Sequence, residues 1–416
     1  MMEKLRLFCR RIALFLLALC ATRCFAYSVL THEEIIDLAW NSSIRPLLLA
    51  KFPAATEAQL LEAHAYAYGG SAVQDMGYYP FGKVFFSNLT HYVRAGDFVV
   101  WLLENAKTID EYAFAIGALS HYLGDSIGHS RAVNPATAIE FPKLERKYGK
   151  SVTYDESPHG HIRTEFAFDI EELQSQDFAP PSYLRFIGFK VPRKFLERGF
   201  RSIYGFDVHE LFGRAHPALR SYRTSVRSFI PAFAGAEVVL HRNQFPPPPD
   251  DEAYRTFATR VARTNYERKW KHLYYSPGIK AHLLAILVFL VPKFGAVSDL
   301  AIKIPTPETE EWYLQSVNLT VDEFRKRLGE LAAAPDPALT LPNVDLDTGY
   351  IVRRGDYPLA DQTYDQLIAR LTSRPRPSIP ESLRKNILAH YAGASIAEED
   401  SKLNRQLSLL KSMPTR

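Results

Sequence analysis

The sequence predicts an all-α protein, because apolar residues recur at helical spacing along most of the chain and strand patterns are sparse. In the first half, this spacing predicts helices over residues 33–40, 57–68, 98–106 and 109–122. The chain has 416 residues, of which 47% are apolar, and no internal repeat is visible. This composition excludes a disordered or collagen-like polymer and leaves room for two or three globular domains.

The second half also contains helical patterns, and a proline run at 246–249, typical of a stiff connector, separates it from the first. Helices are predicted over 252–275, 279–291 and 363–371, followed by a charged helical tail after residue 394. The segment 279–291 is strongly apolar, but it is shorter than the roughly 20 residues that a membrane span needs. A buried core helix is therefore predicted there, with contact to a membrane surface as the alternative.

The net charge of +4 and the pI of 8.7 suggest an anionic partner, but the excess charge lies at the front of the chain. Residues 1–26 contain five Lys or Arg and one Glu. They also contain an apolar run of about ten residues, and they end in Cys24-Phe25-Ala26. This order is typical of a secretory signal peptide, with an uncleaved N-terminal anchor as the alternative. We therefore expect cleavage after Ala26 and a periplasmic or secreted protein.

Removal of residues 1–26 changes the chemistry that is available to the protein. All three cysteines lie in this segment, so the mature chain from Tyr27 has no thiol and is formally neutral. Disulfides are then excluded, and any metal has to be held by histidine and carboxylate side chains. The neutral charge also weakens the case for a nucleic-acid partner.

Histidine and carboxylate residues occur at helical spacing in two segments. His121, Asp125 and His129 are each four positions from the next, which places them along one face of a helix. His161 and Glu165 repeat the spacing. An isolated pair of this kind is more often a core histidine and its hydrogen-bond partner than a metal site. The two pairs together with His129 favour a site for a divalent metal.

Three further elements extend this pattern and complete a recognisable order. The five elements are Tyr27-Ser-Val-Leu-Thr-His32 directly after the predicted cleavage site, Gln74-Asp75, Thr90-His91, His121-Tyr-Leu-Gly-Asp125 and His161-x-x-x-Glu165. In this order they resemble the zinc-dependent phospholipase C family, to which the S1/P1-type nucleases are related. The resemblance implies a multi-helical phospholipase C/P1 nuclease-like catalytic domain, which we place at 27–245. Residues 250–416 would form an additional helical region of unknown role.

The resemblance implies up to three zinc ions. The first would be held by Asp75, His91, His121 and Asp125, the second by His129, His161 and Glu165, and the third by the α-amino nitrogen and carbonyl oxygen of Tyr27 with His32 and a bridging Asp125. The α-amino group of Tyr27 becomes available only after signal cleavage, so activity is expected to begin after export. The chain departs from the family in one spacing, because Asp125 and His129 are four positions apart where six are common.

The predicted reaction is hydrolysis of a phosphodiester by a metal-activated water, with a phospholipid as the substrate. Asp75 is a candidate general base, or an orienter of that water, as well as a ligand. Tyr78 and Tyr79 are candidate substrate contacts, because their hydroxyl groups suit exposure in a wet site. Core packing of the aromatic residues between Asp75 and His91 is the alternative.

Two other functions stay open at this point. A nuclease of the S1/P1 type would need a basic or aromatic groove for a polyanion. A secreted, non-catalytic zinc-binding protein would fill every ligand position with protein atoms, whereas a catalytic site keeps one open. The phospholipase prediction is preferred, without a nucleic-acid partner, and the oligomeric state is not predicted.

One further motif lies outside the region of resemblance. Asn343, Asp345, Asp347 and Gly349 have part of the spacing of a calcium-binding loop. Arg354 stands where such a loop needs a bidentate Glu, so an ordinary turn is predicted there.

Overall fold

Helices form nearly all of the regular structure in the computed structural model. It describes residues 28–175, 187–213, 215–241, 244–245, 250–264, 281–282, 284–285, 302–333, 339–374, 378–392 and 401–415. Within these residues, extended pairing occurs only as the isolated bridges Val344–Ile351 and Ile379–Thr415. The all-α prediction is therefore confirmed.

The α-helices of the described residues follow one another with short connections. They are α1 (Val29–Ala39), α2 (Arg45–Lys51), α3 (Glu57–Gly70), α4 (Val84–Tyr92), α5 (Ala95–Asn105), α6 (Ile109–Gly128), α7 (Asn134–Glu140), α8 (Pro142–Tyr148), α9 (Pro158–Ser175), α10 (Arg193–Tyr204), α11 (Val208–Phe212), α12 (Ala215–Thr224), α13 (Ile230–His241), α14 (Glu252–Ala262), α15 (Pro307–Ala333), α16 (Pro358–Thr372), α17 (Glu381–Tyr391) and α18 (Ser401–Ser412). A 3₁₀ turn at Gln74–Gly77 and π-helical turns at Trp40–Ile44, His129–Val133 and Ser225–Phe229 complete the elements.

The helices predicted in the first half are all present, and each is longer than the sequence pattern indicated. The helix predicted over 109–122 runs on to Gly128, and its first turn is capped by the side chain of Thr108, which accepts a hydrogen bond from the backbone N–H of Glu111. In the second half, α16 and α18 correspond to the predicted helix 363–371 and to the charged tail.

Several predictions fall wholly or partly outside the described residues. These are the signal peptide 1–26 with Tyr27, the connector 246–249, the end of the predicted helix 252–275 and most of the apolar segment 279–291. Among the helices that are described, none combines the length and apolar character that crossing a membrane requires.

Helix α6 is buried along most of its length because two glycines allow α3 to approach it closely. A Cβ on Gly117 would lie 2.1 Å from the carbonyl oxygen of Ala67, and a Cβ on Gly70 would lie 2.0 Å from that of Phe114. Any other residue at these positions would push the two backbones apart. This close contact fixes the position of α6, the helix that carries two of the candidate ligands, His121 and Asp125.

The region beyond the predicted connector packs against the same core. The hydroxyl groups of Thr31 on α1 and Tyr313 on α15 lie 2.9 Å apart in a buried hydrogen bond. Arg325 on α15 donates to the carbonyl oxygen of Leu38, and Tyr122 on α6 donates to that of Pro342. These contacts bring the segment after α15 to the end of α6.

Glu140, at the end of α7, is buried next to α9, and the pKa of its carboxyl group is shifted strongly. Burial raises the pKa of Glu140 to about 8, against the opposing hydrogen bond from Thr164 and the charge of Lys303. Because this value lies above the unfolded value of 4.5, the folded state holds a proton that the unfolded chain releases. The corresponding stability is fully present below pH 4.5 and is lost as the pH rises through 8.

Substitution of Glu140 by Gln should therefore stabilise the fold at neutral pH. We expect Glu140→Gln to raise the free energy of unfolding by roughly 3 kcal/mol at pH 7 and to leave it unchanged at pH 4. Denaturant unfolding at the two pH values measures this difference. The exposed Glu145→Gln on α8 is the matched control, and a gain of equal size in that variant would contradict the prediction.

Candidate metal centre

The candidate ligands lie on the second half of α6 and on five further elements that meet around it. His121 and Asp125 lie on α6, and His129 begins the π-helical turn that follows it. The remaining described candidates are His32 on α1, Asp75 in the 3₁₀ turn, His91 on α4, and His161 and Glu165 on α9. All of these side chains are buried.

The side chains of Asp75, His91 and His121 form the first cluster. The Nε2 atom of His91 lies 3.3 Å from Oδ1 of Asp75 and 3.5 Å from Nε2 of His121. Both rings therefore present Nε2 to one point between the three side chains. Two imidazole nitrogens and a carboxylate oxygen at this separation are a donor set that suits Zn²⁺.

Asp125 lies at the middle of the centre, and its two oxygens together face three histidines. Its Oδ2 atom lies 2.9 Å from Nε2 of His121 and 3.4 Å from Nε2 of His91. Its Oδ1 atom lies 3.2 Å from Nε2 of His32, whose ring stacks on that of His121 at 4.4 Å. The Asp125 carboxylate can thus be shared between the first cluster and the group formed by His32, His121 and Asp125 itself.

A second cluster is formed by His129, His161 and Glu165. Nδ1 of His161 lies 2.6 Å from Oε1 of Glu165, and Nε2 of His129 lies 3.9 Å from the same oxygen. Nε2 of His129 is also 4.0 Å from Oδ1 of Asp125, which connects the two clusters. The spacing of four between Asp125 and His129 is therefore compatible with a common centre.

Outer hydrogen bonds orient the two histidines of the first cluster. Nδ1 of His91 donates to the carbonyl oxygen of Ser87 at 2.8 Å, and Nδ1 of His121 donates to that of Ser71 at 3.0 Å. Because a carbonyl oxygen can only accept, each ring carries a proton on Nδ1, and Nε2 is the nitrogen that faces inward. Once Nε2 carries no proton, this is the tautomer that a metal ligand requires.

The charge balance of the centre fits a cation. Both carboxylate oxygens of Glu165 are buried and accept no hydrogen bond within the described part of the chain. Burial raises the pKa of Glu165 well above its ordinary value, and the negative charges of Asp125 and Asp75 raise it further. Although burial lowers the pKa of His91, the neighbouring carboxylates of Asp125 and Asp75 raise it to about 10. The centre thus contains more negative charge than its surroundings balance, which the binding of zinc would offset.

The expected exposure of Tyr78 and Tyr79 is wrong. Both side chains are buried. Tyr79 packs edge-on against Tyr222 in the core, whereas the ring of Tyr78 lies 5.7 Å from that of His91. Contact of either residue with substrate stays a prediction, and the position of Tyr78 beside the first cluster favours it over Tyr79.

Asp347 is a residue of the centre that the sequence pattern did not reveal. Its Oδ1 atom accepts a hydrogen bond from Nδ1 of His129 at 2.8 Å and lies 3.4 Å from Nε2 of His161. The feature of the sequence that could have indicated Asp347 is the partial calcium-loop spacing of residues 343–349. The turn predicted there is present, because Asp345 accepts hydrogen bonds from the backbone N–H groups of Asp347 and Thr348.

Of the comparisons with known proteins, the one with family models gives a match, and it agrees with this geometry. No curated protein and no solved structure matches the chain. The matched family model spans His32 to Glu165 and thus every candidate ligand that the structure describes, but it ends before α11 and leaves the loop of Asp347 outside. The resemblance seen in the sequence is confirmed: residues 31–206 match the family model described as zinc dependent phospholipase C.

Proposed function

We propose that this protein is an exported zinc-dependent phosphodiesterase of the phospholipase C type, with phospholipids as its substrates. The observation that carries the proposal is the position of Asp125 between the imidazoles of His32, His91 and His121, with the second cluster adjoining it. A shared carboxylate of this kind suits neighbouring metal ions, and neighbouring ions suit in-line displacement at phosphorus. The match to a zinc-dependent phospholipase C family supports hydrolysis as the type of reaction.

The residues of the chain divide the work between holding zinc and handling the proton. Zinc, when bound, would act as a Lewis acid for the phosphoryl oxygens and lower the pKa of a water molecule. His91 and His121 are held in the tautomer that offers Nε2 to the ion, as their backbone hydrogen bonds require. Asp75 is the proposed general base, because its buried carboxylate belongs to the first cluster and can accept a proton from a water bound there.

Two features favour a lipid over a polynucleotide. The ring of Tyr78 lies 5.7 Å from that of His91 and 6.5 Å from that of Tyr154, which places aromatic side chains beside the first cluster. In the loop that follows Tyr78, the side chain of Phe81 is 74% exposed, and the backbone φ of 65° is one that few non-glycine residues adopt. An exposed aromatic side chain near the site suits contact with a membrane surface, which we propose as the role of Phe81.

The N-terminal end of α1, which follows the proposed cleavage site closely in the chain, is bonded to α9. The backbone N–H groups of Leu30 and Thr31, at the start of α1, each donate to the carboxylate of Asp169 at 3.1 Å. Asp169 lies on α9, the helix that also carries Glu165. The start of α1 is thus bonded to the helix that carries Glu165, and we propose that cleavage after Ala26 frees the α-amino group of Tyr27 as a ligand of the third ion.

A substrate panel on zinc-loaded protein beginning at Tyr27 tests the function. We expect hydrolysis of phosphatidylcholine or another glycerophospholipid to diacylglycerol and a phosphorylated head group, with little release of nucleotides from single-stranded DNA or RNA. Asp75→Asn is the control for contaminating enzymes, because loss of a general base lowers the rate by about 10²–10⁴-fold. Faster turnover of single-stranded nucleic acid would establish a nuclease instead, and bound zinc without any turnover would indicate a binding protein.

A further inference from the structure

The loop that follows α15 lies against the metal centre although it is distant from it in the chain. The backbone N–H of Leu346 donates to the carbonyl oxygen of His91 at 3.2 Å. Gly349 has a φ of 75°, and a Cβ there would lie 2.5 Å from the carbonyl oxygen of Ser126 on α6. The loop 343–357 is therefore packed tightly against two of the elements that supply ligands.

Asp347 is the residue of this loop that reaches the second cluster. Its side chain is 2% exposed, and its Oδ1 atom accepts the hydrogen bond from Nδ1 of His129 at 2.8 Å. Its Oδ2 atom accepts from the backbone N–H of Tyr154 at 2.9 Å and from the hydroxyl group of Tyr357. The carboxylate is held from both sides and has little freedom to rotate.

These contacts determine which nitrogen of His129 faces the metal. An ionised carboxylate only accepts hydrogen bonds, so the proton of the His129 ring resides on Nδ1. Nε2 then carries the lone pair and points toward Glu165 and Asp125, at 3.9 and 4.0 Å. Without this acceptor, the ring could rotate or carry its proton on the other nitrogen.

The second histidine of the cluster is linked to the same residue. The Nδ2 group of Asn134 donates to the backbone carbonyl oxygen of Asp347 at 2.8 Å, which leaves its Oδ1 atom as an acceptor. This oxygen accepts a hydrogen bond from Nε2 of His161 at 2.7 Å, so Nδ1 of His161 carries the lone pair toward Glu165. The orientation of both rings thus depends on Asp347 and its loop.

We propose that Asp347 is a positioning residue of the second zinc site, and that the loop 343–357 completes a centre whose ligands all lie before residue 166. The proposal rests on the metal centre of the proposed function but not on the substrate. A carboxylate that accepts the outer proton of a metal-bound histidine fixes the ring and makes its other nitrogen more basic. The C-terminal half of the chain then contributes directly to metal affinity.

Zinc binding to the full-length mature chain tests this role separately from turnover. In Asp347→Asn, one of the two accepting oxygens becomes an NH₂ group. This group faces either Nδ1 of His129 or the N–H of Tyr154 and the hydroxyl of Tyr357, all of which are donors, so at least one hydrogen bond is lost. We expect zinc affinity at one site to fall by about 10–100-fold, with the other sites unchanged. Competition with a chromophoric chelator measures the affinities, and the visible spectrum of the Co²⁺-substituted protein reports the altered geometry.

Asp356→Asn is the matched control, because Asp356 is exposed on the same loop and should leave all zinc affinities unchanged. Tyr357→Phe removes only the hydroxyl donor to Asp347 and should weaken the same site by a smaller factor, which tests the proposal even if Asp347→Asn fails to fold.

Zinc affinities equal to those of the parent in both Asp347→Asn and Tyr357→Phe would overturn the proposal. Loss of one zinc even at saturating concentration would overturn it as well, since Asp347 would then be a direct ligand. A parent protein that binds zinc but hydrolyses no phosphodiester would refute the proposed function and leave this inference intact.

Discussion

Asp125→Asn is expected to abolish most of the proposed phosphodiesterase activity and to reduce the number of zinc ions bound per chain. The substitution keeps the shape of the side chain but removes the charge that three buried imidazoles face at 2.9–3.4 Å. Loss of one partner from a buried charged group costs about 3–5 kcal/mol, which corresponds to roughly two to four orders of magnitude in an affinity or a rate. Zinc content by elemental analysis and kcat/KM on a phosphodiester measure the effect.

The chain offers a matched control for this variant. Asp37 is also a buried aspartate bonded to a histidine, because its Oδ1 atom lies 2.7 Å from Nε2 of His64 and its Oδ2 atom accepts from Tyr68. This pair lies outside the metal clusters, so Asp37→Asn should lower stability but leave the zinc content unchanged. Equal loss of zinc in the two variants would mean that general destabilisation, rather than a missing ligand, explains the result.

Removal of zinc by a chelator is expected to lower the melting temperature as well as to abolish activity. Without zinc, the buried carboxylates of Asp75, Asp125 and Glu165 face one another around the same centre. A ligand present at a thousand times its dissociation constant adds about 4 kcal/mol to stability, so we expect a decrease on the order of 10 °C. The decrease should become smaller as the pH falls, because the ligands must be deprotonated to bind the ion.

The choice of metal for reconstitution provides the control. Zinc should restore both the melting temperature and the activity, whereas Mg²⁺ should not, because a site dominated by imidazole nitrogen suits zinc better than it suits magnesium. Differential scanning calorimetry of the chelated and reconstituted protein gives the result. An unchanged melting temperature after complete removal of zinc would contradict a multinuclear centre at these buried clusters.

The helices and the ligand pairs within them could be predicted from sequence because both depend on local geometry. Helical spacing alone places His121 above Asp125 and His161 above Glu165, each pair one turn apart. The structure brings both pairs into metal-binding groups. The C-terminal end of α6 could not be predicted as well, since the helix continues past Tyr122 to Gly128, where α1 packs against it: a Cβ on Gly124 would lie 3.3 Å from the ring of His32.

Burial of the aromatic residues could not be predicted in the same way. Tyr78 and Tyr79 follow Asp75 directly, and a hydroxyl group is compatible with either a wet surface or a hydrogen-bonded interior. The partner that covers Tyr79 is Tyr222, on a helix far along the chain. Nothing in the local pattern distinguishes these outcomes, because burial depends on which distant element packs over a residue.

The sequence by itself determined that the chain is helical, that its first half resembles a zinc-dependent phospholipase C family, and that two pairs of candidate ligands lie one helical turn apart. Only the tertiary structure decided that Asp125 lies between the two clusters. It also decided that Asp347, 218 positions after His129, accepts a hydrogen bond from the His129 ring. The physical reason is that helix formation and i, i+4 pairing involve neighbours in the chain, whereas a contact across two hundred residues is stabilised only when the intervening elements have packed. The loop that resembled part of a calcium site in the sequence is, in the fold, the outer support of a histidine at the metal centre.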